Sequence, residues 1–248
     1  MRYEDLTIEG RNAVIEAIRA GKTIDKLFVL DGCQDGPVRT ILREAKKQDV
    51  VVNFVTKERL DQMSETGKHQ GVIAYAAAYE YGTVEQMLEA ADRENKPPFL
   101  IFLDGIEDPH NLGSIIRTAN QAGAHGVVIP KRRAVGLTAT VAKASAGAIN
   151  YTPVAKVTNL SKTMEKLKEK GMWFVCGDMT GESMYQIDLT GPIGVVIGSE
   201  GEGVSRLVRQ NCDFTAAIPM FGDIDSLNAS VAMGVLSYEI VRQRLAKE

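Results

Sequence analysis

Three short polar segments of this chain hold the side chains that could do chemistry, and each lies at the edge of a buried apolar run. The first, Asp104-Gly-Ile-Glu-Asp-Pro-His-Asn-Leu-Gly-Ser-Ile-Ile-Arg-Thr-Ala119, carries Asn111 and then Arg117. The second is Ile197-Gly-Ser-Glu-Gly-Glu-Gly203, and the third is Ile218-Pro-Met220 followed by Ser226-Leu-Asn228-Ala-Ser-Val-Ala232. Asn111 precedes an apolar helix pattern that begins at Leu112, where an Asn can cap the first free N–H groups. It reads either as that cap or as a ligand contact. Arg117 sits about a turn and a half inside that pattern, as a solvated residue or as a cation reaching past the helix start. The glycines of 198–203 let backbone approach a ligand closely and aim free N–H groups at it. Their spacing is not that of a dinucleotide fingerprint, and Glu200 and Glu202 would repel a pyrophosphate. A cationic or zwitterionic small molecule fits better, and a tight turn with solvated acids would also account for the segment. Ser226 or Asn228 would cap the small-residue helix start at Ala229.

The elements that must position these groups are legible in the second half. Apolar strands at Phe99–Leu103, Gly126–Ile129, Met172–Gly177, Ile193–Gly198 and Phe214–Ile218 alternate with helices at Leu112–Gln121, Leu160–Lys170, Val204–Gln210 and Asn228–Leu245. Continuously apolar strands alternating with helices predict an α/β fold with a parallel sheet covered on both faces. In such sheets ligands bind beyond the carboxyl ends of the strands, where the three segments lie.

The first half reads as a smaller α/β unit. It has a helix from Arg11 to Ala20, strands at Lys26–Leu30, Val50–Val55 and Gly71–Tyr79, and helices near 37–48 and 57–63. A helix pattern over Thr83–Glu94 ends at Asn95-Lys-Pro-Pro98, a strong stop. Residues 1–80 are therefore expected to form one domain, 81–98 a linker or helix, and 99–248 the second domain.

Bulk composition narrows the function. The chain has 248 residues, 44% hydrophobic, with a formal net charge of −3, which gives no support to a surface that coats nucleic acid. Residues 1–80 carry 12 Lys and Arg against 13 Asp and Glu. The trio Lys131-Arg132-Arg133 is a local basic patch that reads as a solvated loop. The 3 cysteines, at 33, 176 and 212, have no paired spacing, and the 3 histidines, at 69, 110 and 125, are well separated, so neither a disulfide framework nor a metal site is expected. No apolar signal core or bilayer-length run is present, and a cytoplasmic, membrane-free protein is expected.

Taken together, the three segments resemble the three motifs of the SpoU (TrmH) family of RNA ribose 2′-O-methyltransferases. The matches are Asn111 to Arg117, Ile197 to Gly203, and Ile218-Pro-Met220 with Ser226-Leu-Asn228, in the family's order and spacing. Gly10-Arg-Asn-Ala-Val14 and His69-Gln-Gly-Val72 are similar to the subgroup that methylates a guanosine in the peptidyl-transferase region of 23S ribosomal RNA. The resemblance implies a catalytic domain of the SPOUT class with a deep trefoil knot, an N-terminal L30e-like RNA-binding domain, S-adenosylmethionine as cofactor, no metal, and an active site at a homodimer interface. It further implies that Gly198, Ile218 and Leu227 give backbone contacts to the cofactor, with Glu200, Gly201, Met220 and Ser226 close by. Arg117 would then be the central catalytic residue, with Asn111, Glu200, Ser226 and Asn228 positioning it, the ribose and the cofactor. Guanidinium does not deprotonate in proteins, so Arg117 is expected to hold a phosphate and stabilise developing alkoxide charge. Arg2, Arg11, Arg19 and Lys22 are candidate RNA contacts. A tRNA-directed family member and an inactive RNA-binding scaffold are the alternatives. A dinucleotide-dependent oxidoreductase is disfavoured.

Overall fold

A computed structural model describes residues 6–224 and 226–247 and divides the chain into two units, residues 1–80 with Gly136–Ala139, and 81–135 with 140–248. Among the described residues no helix is long and apolar enough to cross a membrane.

The first unit is built from β1 (Leu6–Glu9), α1 (Arg11–Arg19), β2 (Ile24–Leu30), α2 (Gly36–Lys47), β3 (Val52–Val55), α3 (Lys57–Met63) and β4 (Val72–Ala76). Its sheet has the order β1-β4-β2-β3; β2 and β3 run parallel, while β4 is antiparallel to both of its neighbours. The apolar side of α1 (Val14, Ala17, Ile18) and that of α2 (Val38, Ile41, Ala45) bury against Leu27, Val29, Val72 and Ala74. Asp35 and Thr56 cap α2 and α3 by accepting from Val38 N–H and Arg59 N–H, each cap contributing about 1 kcal/mol.

The second unit continues with α4 (Val84–Glu94), β5 (Phe99–Asp104), α5 (Pro109–Gln121), β6 (Gly126–Pro130), α6 (Ala139–Ala144), β7 (Val154–Val157), α7 (Leu160–Lys168), β8 (Trp173–Ser183), β9 (Ile193–Gly198), α8 (Arg206–Gln210), β10 (Phe214–Ala217) and α9 (Ala229–Leu245). Thr83 and Gln86 close a capping box at the start of α4. The sheet order is β10-β8-β9-β5-β6-β7 and every neighbouring pair is parallel. Both central strands, β5 and β9, are buried at every residue, as a sheet covered on both faces requires. On one face Leu100, Phe102, Val128, Phe174 and Val196 pack with Met87, Met164 and Leu167. Phe102 and Phe174 meet edge to face there, 5.1 Å between ring centroids. On the other face α5 and α9 pack together.

The parallel α/β reading of the second half therefore holds, with differences at particular elements. β1, α6 and β7 carry no turn or periodicity signal strong enough to stand out, each being only 4 to 6 residues long. β8 continues past Gly177 to Ser183 because β10 pairs with it on both sides of a register shift at Thr215/Ala216. From β5 the chain moves outward through β6 to β7. From β9 it moves the other way, past β8 to β10. The carboxyl ends of β5 and β9 are therefore the topological switch point of this sheet, the crevice where ligands bind in open α/β folds.

Candidate active site

Asp104 and Gly198 end β5 and β9 as register partners, and the loops that follow diverge around them. After β5, Asp108 rather than Asn111 caps α5, accepting from His110 N–H (3.1 Å) and Asn111 N–H (3.2 Å) with Pro109 in the first turn. The capping role that spacing suggested for Asn111 is thus corrected. The helix starts a turn earlier, because Asp108-Pro109 is itself a good entry signal.

Freed from capping, the Asn111 carboxamide reaches two other motifs. Its Nδ2 donates to Glu200 Oε1 at 3.0 Å, and its Oδ1 accepts from Asn228 Nδ2 at 2.9 Å. Asn228 Nδ2 also donates to Glu200 Oε1 at 2.6 Å. Asn228 is at the same time the cap of α9: its Oδ1 accepts from Ser230 N–H at 2.9 Å, Ser230 Oγ at 2.6 Å and Val231 N–H at 3.4 Å. Glu200 Oε1 takes one further donor, Ala229 N–H at 3.4 Å, so its carboxylate sits at the positive end of α9. Glu200 Oε2 has no hydrogen-bond partner among the described residues, and Glu200 is exposed.

The loop after β9 turns back on itself. Gly203 N–H donates to Ser199 O at 2.9 Å, and Gly203 takes a left-handed φ of 66° that suits glycine. A Cβ at Gly198 would lie 2.0 Å from the Gly203 carbonyl carbon, so only glycine fits there. Buried Asp104 pins the far end of the loop by accepting from Ser205 N–H at 2.8 Å.

Beside this loop lies a cleft of about 180 Å³. Of the residues that the motifs proposed for a cofactor, Gly198, Glu200, Ile218, Met220, Ser226 and Leu227 line it, and Gly201 does not. Asn111, Arg117 and Asn228 are not on its walls either. Ile197, Ala216, Ala232 and Leu236 give it an apolar interior, and Gly177, Asp178 and Met179 add a wall that the motifs missed. The strand-end rule could have found these three, since the strand read at Met172–Gly177 stops beside them. Burial works against the charge of Asp178. Hydrogen bonds from Thr180 Oγ1 and N–H, together with the Arg209 guanidinium 2.9 Å away, still hold its carboxyl below the usual range. Among the described residues Asp178 and Glu200 are the charged side chains on the cleft, and neither Lys nor Arg lines it. Such a wall suits an apolar, positively charged small molecule and opposes a polyphosphate.

Arg117 stands apart. It lies about 9 Å along and about 120° around α5 from Asn111, exposed, with no hydrogen bond or ion pair to any described residue. The expectation that its head reaches past the helix start is corrected, because α5 begins at Pro109 and Arg117 lies deep in its second half. Of the candidate RNA contacts, Arg11 is tied to Asp35 at 2.7 Å and to the Gln70 carbonyl, Arg19 pairs with Glu16, and Lys22 is exposed. Arg2 lies outside the described residues. The motif around His69 is structural. His69 Nδ1 accepts from Gly71 N–H, its Nε2 bonds Asp61, and Gln70 Oε1 accepts from Arg11 N–H.

Comparison with known proteins places this geometry in context. Residues 98–238 match the model of the SpoU rRNA methylase family, and residues 7–82 match a model described as RNA 2′-O ribose methyltransferase substrate binding. The TrmH family tRNA/rRNA methyltransferase YacO of Bacillus subtilis is 51% identical over 236 residues, covering 95% of this chain and 94% of its own. A TrmH family tRNA/rRNA methyltransferase of Staphylococcus saprophyticus is 48% identical, covering 97% of each chain. Among solved structures, the methyltransferase AviRb of Streptomyces viridochromogenes, in complex with AdoMet, shares the fold with a TM-score of 0.62 at 24% identity, covering 98% of this chain and 91% of its own. The A. aeolicus TrmH/SpoU tRNA-modifying enzyme gives 0.55 at 25% identity over 65% of this chain and 85% of its own.

Proposed function

The chain belongs to the SpoU family of RNA methyltransferases, and on that premise we propose that it methylates the ribose 2′-hydroxyl of a guanosine in the peptidyl-transferase region of 23S ribosomal RNA, with S-adenosylmethionine as the methyl donor. The observation that carries the reading is the meeting of Asn111, Glu200 and Asn228 at the rim of an apolar cleft whose charged groups are acidic. The cleft residues fit this cofactor. Ile197, Ala216, Ile218 and Leu236 offer apolar surface for its base, and the backbones of Gly198, Ile218 and Leu227 offer polar contacts. Asp178 and Glu200 suit its positive charge. When bound, it supplies a methyl group activated by a sulfonium.

The remaining work falls to the chain. The ribose hydroxyl must be oriented and must lose a proton as it attacks. Glu200 Oε2, the oxygen that the network leaves open, accepts a hydrogen bond from that hydroxyl, while Asn111 and Asn228 hold the carboxylate still. Arg117 binds the adjacent phosphate and stabilises developing negative charge on the 2′-oxygen.

Because Arg117 diverges from Asn111 on its own helix, it serves the cleft of a second protomer, and the active unit is a homodimer. Exposed Val231, Tyr238 and Leu245, which recur along α9, together with exposed Phe221 and Ile224 just before it, supply an apolar face for that pairing. Residues 1–80 form the RNA-binding unit in this reading. The proposal includes the family's trefoil knot in the second unit.

Mapping ribose 2′-O-methyl groups on ribosomal RNA and tRNA from cells with and without the protein tests the reading. Loss of one 23S guanosine modification supports it, and loss at a tRNA position instead points to a tRNA-directed enzyme. An unchanged map in both RNAs leaves an RNA-binding scaffold as the function.

A further inference from the structure

The basic loop after β6 is not used by the site described so far, yet its backbone is built with care. Lys131 N–H donates to Val157 O and Val135 N–H to Ile106 O, and Ala134 between them is buried. These ties force Arg133 into a left-handed φ of 53°, an uncommon conformation for a side-chain-bearing residue. The result is that the Arg133 guanidinium lies 3.9 Å from Asp104 Oδ1 while its side chain is still 66% exposed. Arg132 beside it is exposed and has no ion-pair partner among the described residues.

Asp104 connects this loop to the cleft. Its other oxygen accepts from Ser205 N–H, and the next residue, Arg206, is also exposed without a partner among the described residues. Asp104 is the register partner of Gly198, and β6 lies on the other side of β5, so the basic loop after β6 stands about two strand spacings, roughly 10 Å, from the cleft wall at β9. Along the carboxyl edge of the sheet, the order is therefore the acidic cleft over β8 and β9, the Asn111–Glu200–Asn228 cluster over β9 and β5, and the guanidinium groups over β5 and β6. Among the described residues Asp104 pairs with Arg133, while Arg132 and Arg206 are exposed and have no ion-pair partner, so two guanidinium groups of this ridge stay open to an anion.

We propose that Arg132, Arg133 and Arg206 form a docking surface for the phosphodiester backbone of the RNA substrate beside the target nucleotide. This rests on the methyltransferase reading and deepens it by assigning the surface that holds the strand. Arginine suits phosphate because its planar fork bonds two oxygens at once. Flexible phosphates reached from a charged edge give affinity and register without reading bases. The ridge lies on the side of the cluster away from the acidic cleft, so the strand enters where its charge is welcome and presents only a ribose to Glu200.

The test uses the full chain and Arg132→Gln/Arg133→Gln, which removes two charges and retains the β-carbon that the left-handed backbone already accommodates. Binding of transcribed 23S ribosomal RNA and of unfractionated tRNA is measured across a salt series, with S-adenosylhomocysteine affinity as the folding and cleft control. The expected result is weaker RNA binding and a log–log salt slope shallower by about 1.5, since each lost phosphate contact removes roughly 0.7 to 0.9. S-adenosylhomocysteine affinity stays as in the wild type, and Arg132→Lys/Arg133→Lys recovers most of the slope. Wild-type slope and affinity in the glutamine variant overturn the docking surface while leaving the methyltransferase reading intact. A wild-type protein that binds neither RNA overturns both.

Discussion

Asn228 divides one carboxamide between two tasks: its oxygen closes the start of α9, and its nitrogen holds Asn111 and Glu200. The two can be separated. Asn228→Ser keeps a capping oxygen but deletes the donors to the cluster. Its thermal midpoint is expected within about 3 °C of wild type, while turnover falls about a hundredfold because Glu200 loses its orientation. Equal losses in stability and turnover would reduce Asn228 to a cap. Arg117 makes the complementary case, since it is exposed and makes no hydrogen bond or ion pair to any described residue. Arg117→Ala is expected to leave stability and S-adenosylhomocysteine affinity near wild type in calorimetry. Methyl transfer should drop by about a hundred- to a thousandfold, and near-normal turnover would remove Arg117 from the mechanism.

At the scale of elements, the site is a product of where β5 and β9 stop. Their apolar runs, and the glycines that follow, were readable as strands ending in turns, so the location of the cleft was legible. Contacts made across the fold were not. Nothing local says that Asp108 takes over the cap, because Asp108 and Asn111 are both good capping residues and the choice depends on how tightly the chain turns at Pro109. Nothing local says that β8 runs on to Asp178 and Met179, because that extension exists only through its pairing with β10. The Asn111–Glu200–Asn228 cluster joins three distant segments, and its members had to be associated by motif before the fold placed them together. The tight return of the loop at Gly198 carries its own prediction. Gly198→Ala puts a methyl group 2.0 Å from the Gly203 backbone, where no flexible side chain can yield. Urea denaturation is expected to show a loss of about 3 kcal/mol, together with lost S-adenosylhomocysteine binding. Wild-type stability would mean that the loop relaxes freely.

At the scale of the whole molecule, the proposed second protomer is the largest step from chain to function. One protomer's α5 presents Asn111 and Arg117 to different places, and α9 leaves Val231, Tyr238 and Leu245 uncovered. Light scattering at micromolar concentration is expected to give twice the chain mass of 27.0 kDa, and charged substitutions at Tyr238 and Leu245 should reduce mass and turnover together. A monomer with full activity would refute the shared site.

The all-parallel sheet also sets a timetable. Its central pairing joins Phe99 to Ile193, and the cleft draws on residues from Gly177 to Leu236. A chain emerging from the ribosome completes the strands of its first unit early, but β5 must wait for β9 and the cleft for α9. At ordinary elongation rates that delay is on the order of ten seconds, during which β5 and β6 carry apolar surface without their final neighbours. Chains that end before α9 therefore lack part of the cleft wall, and such truncations are expected to show no methyl transfer.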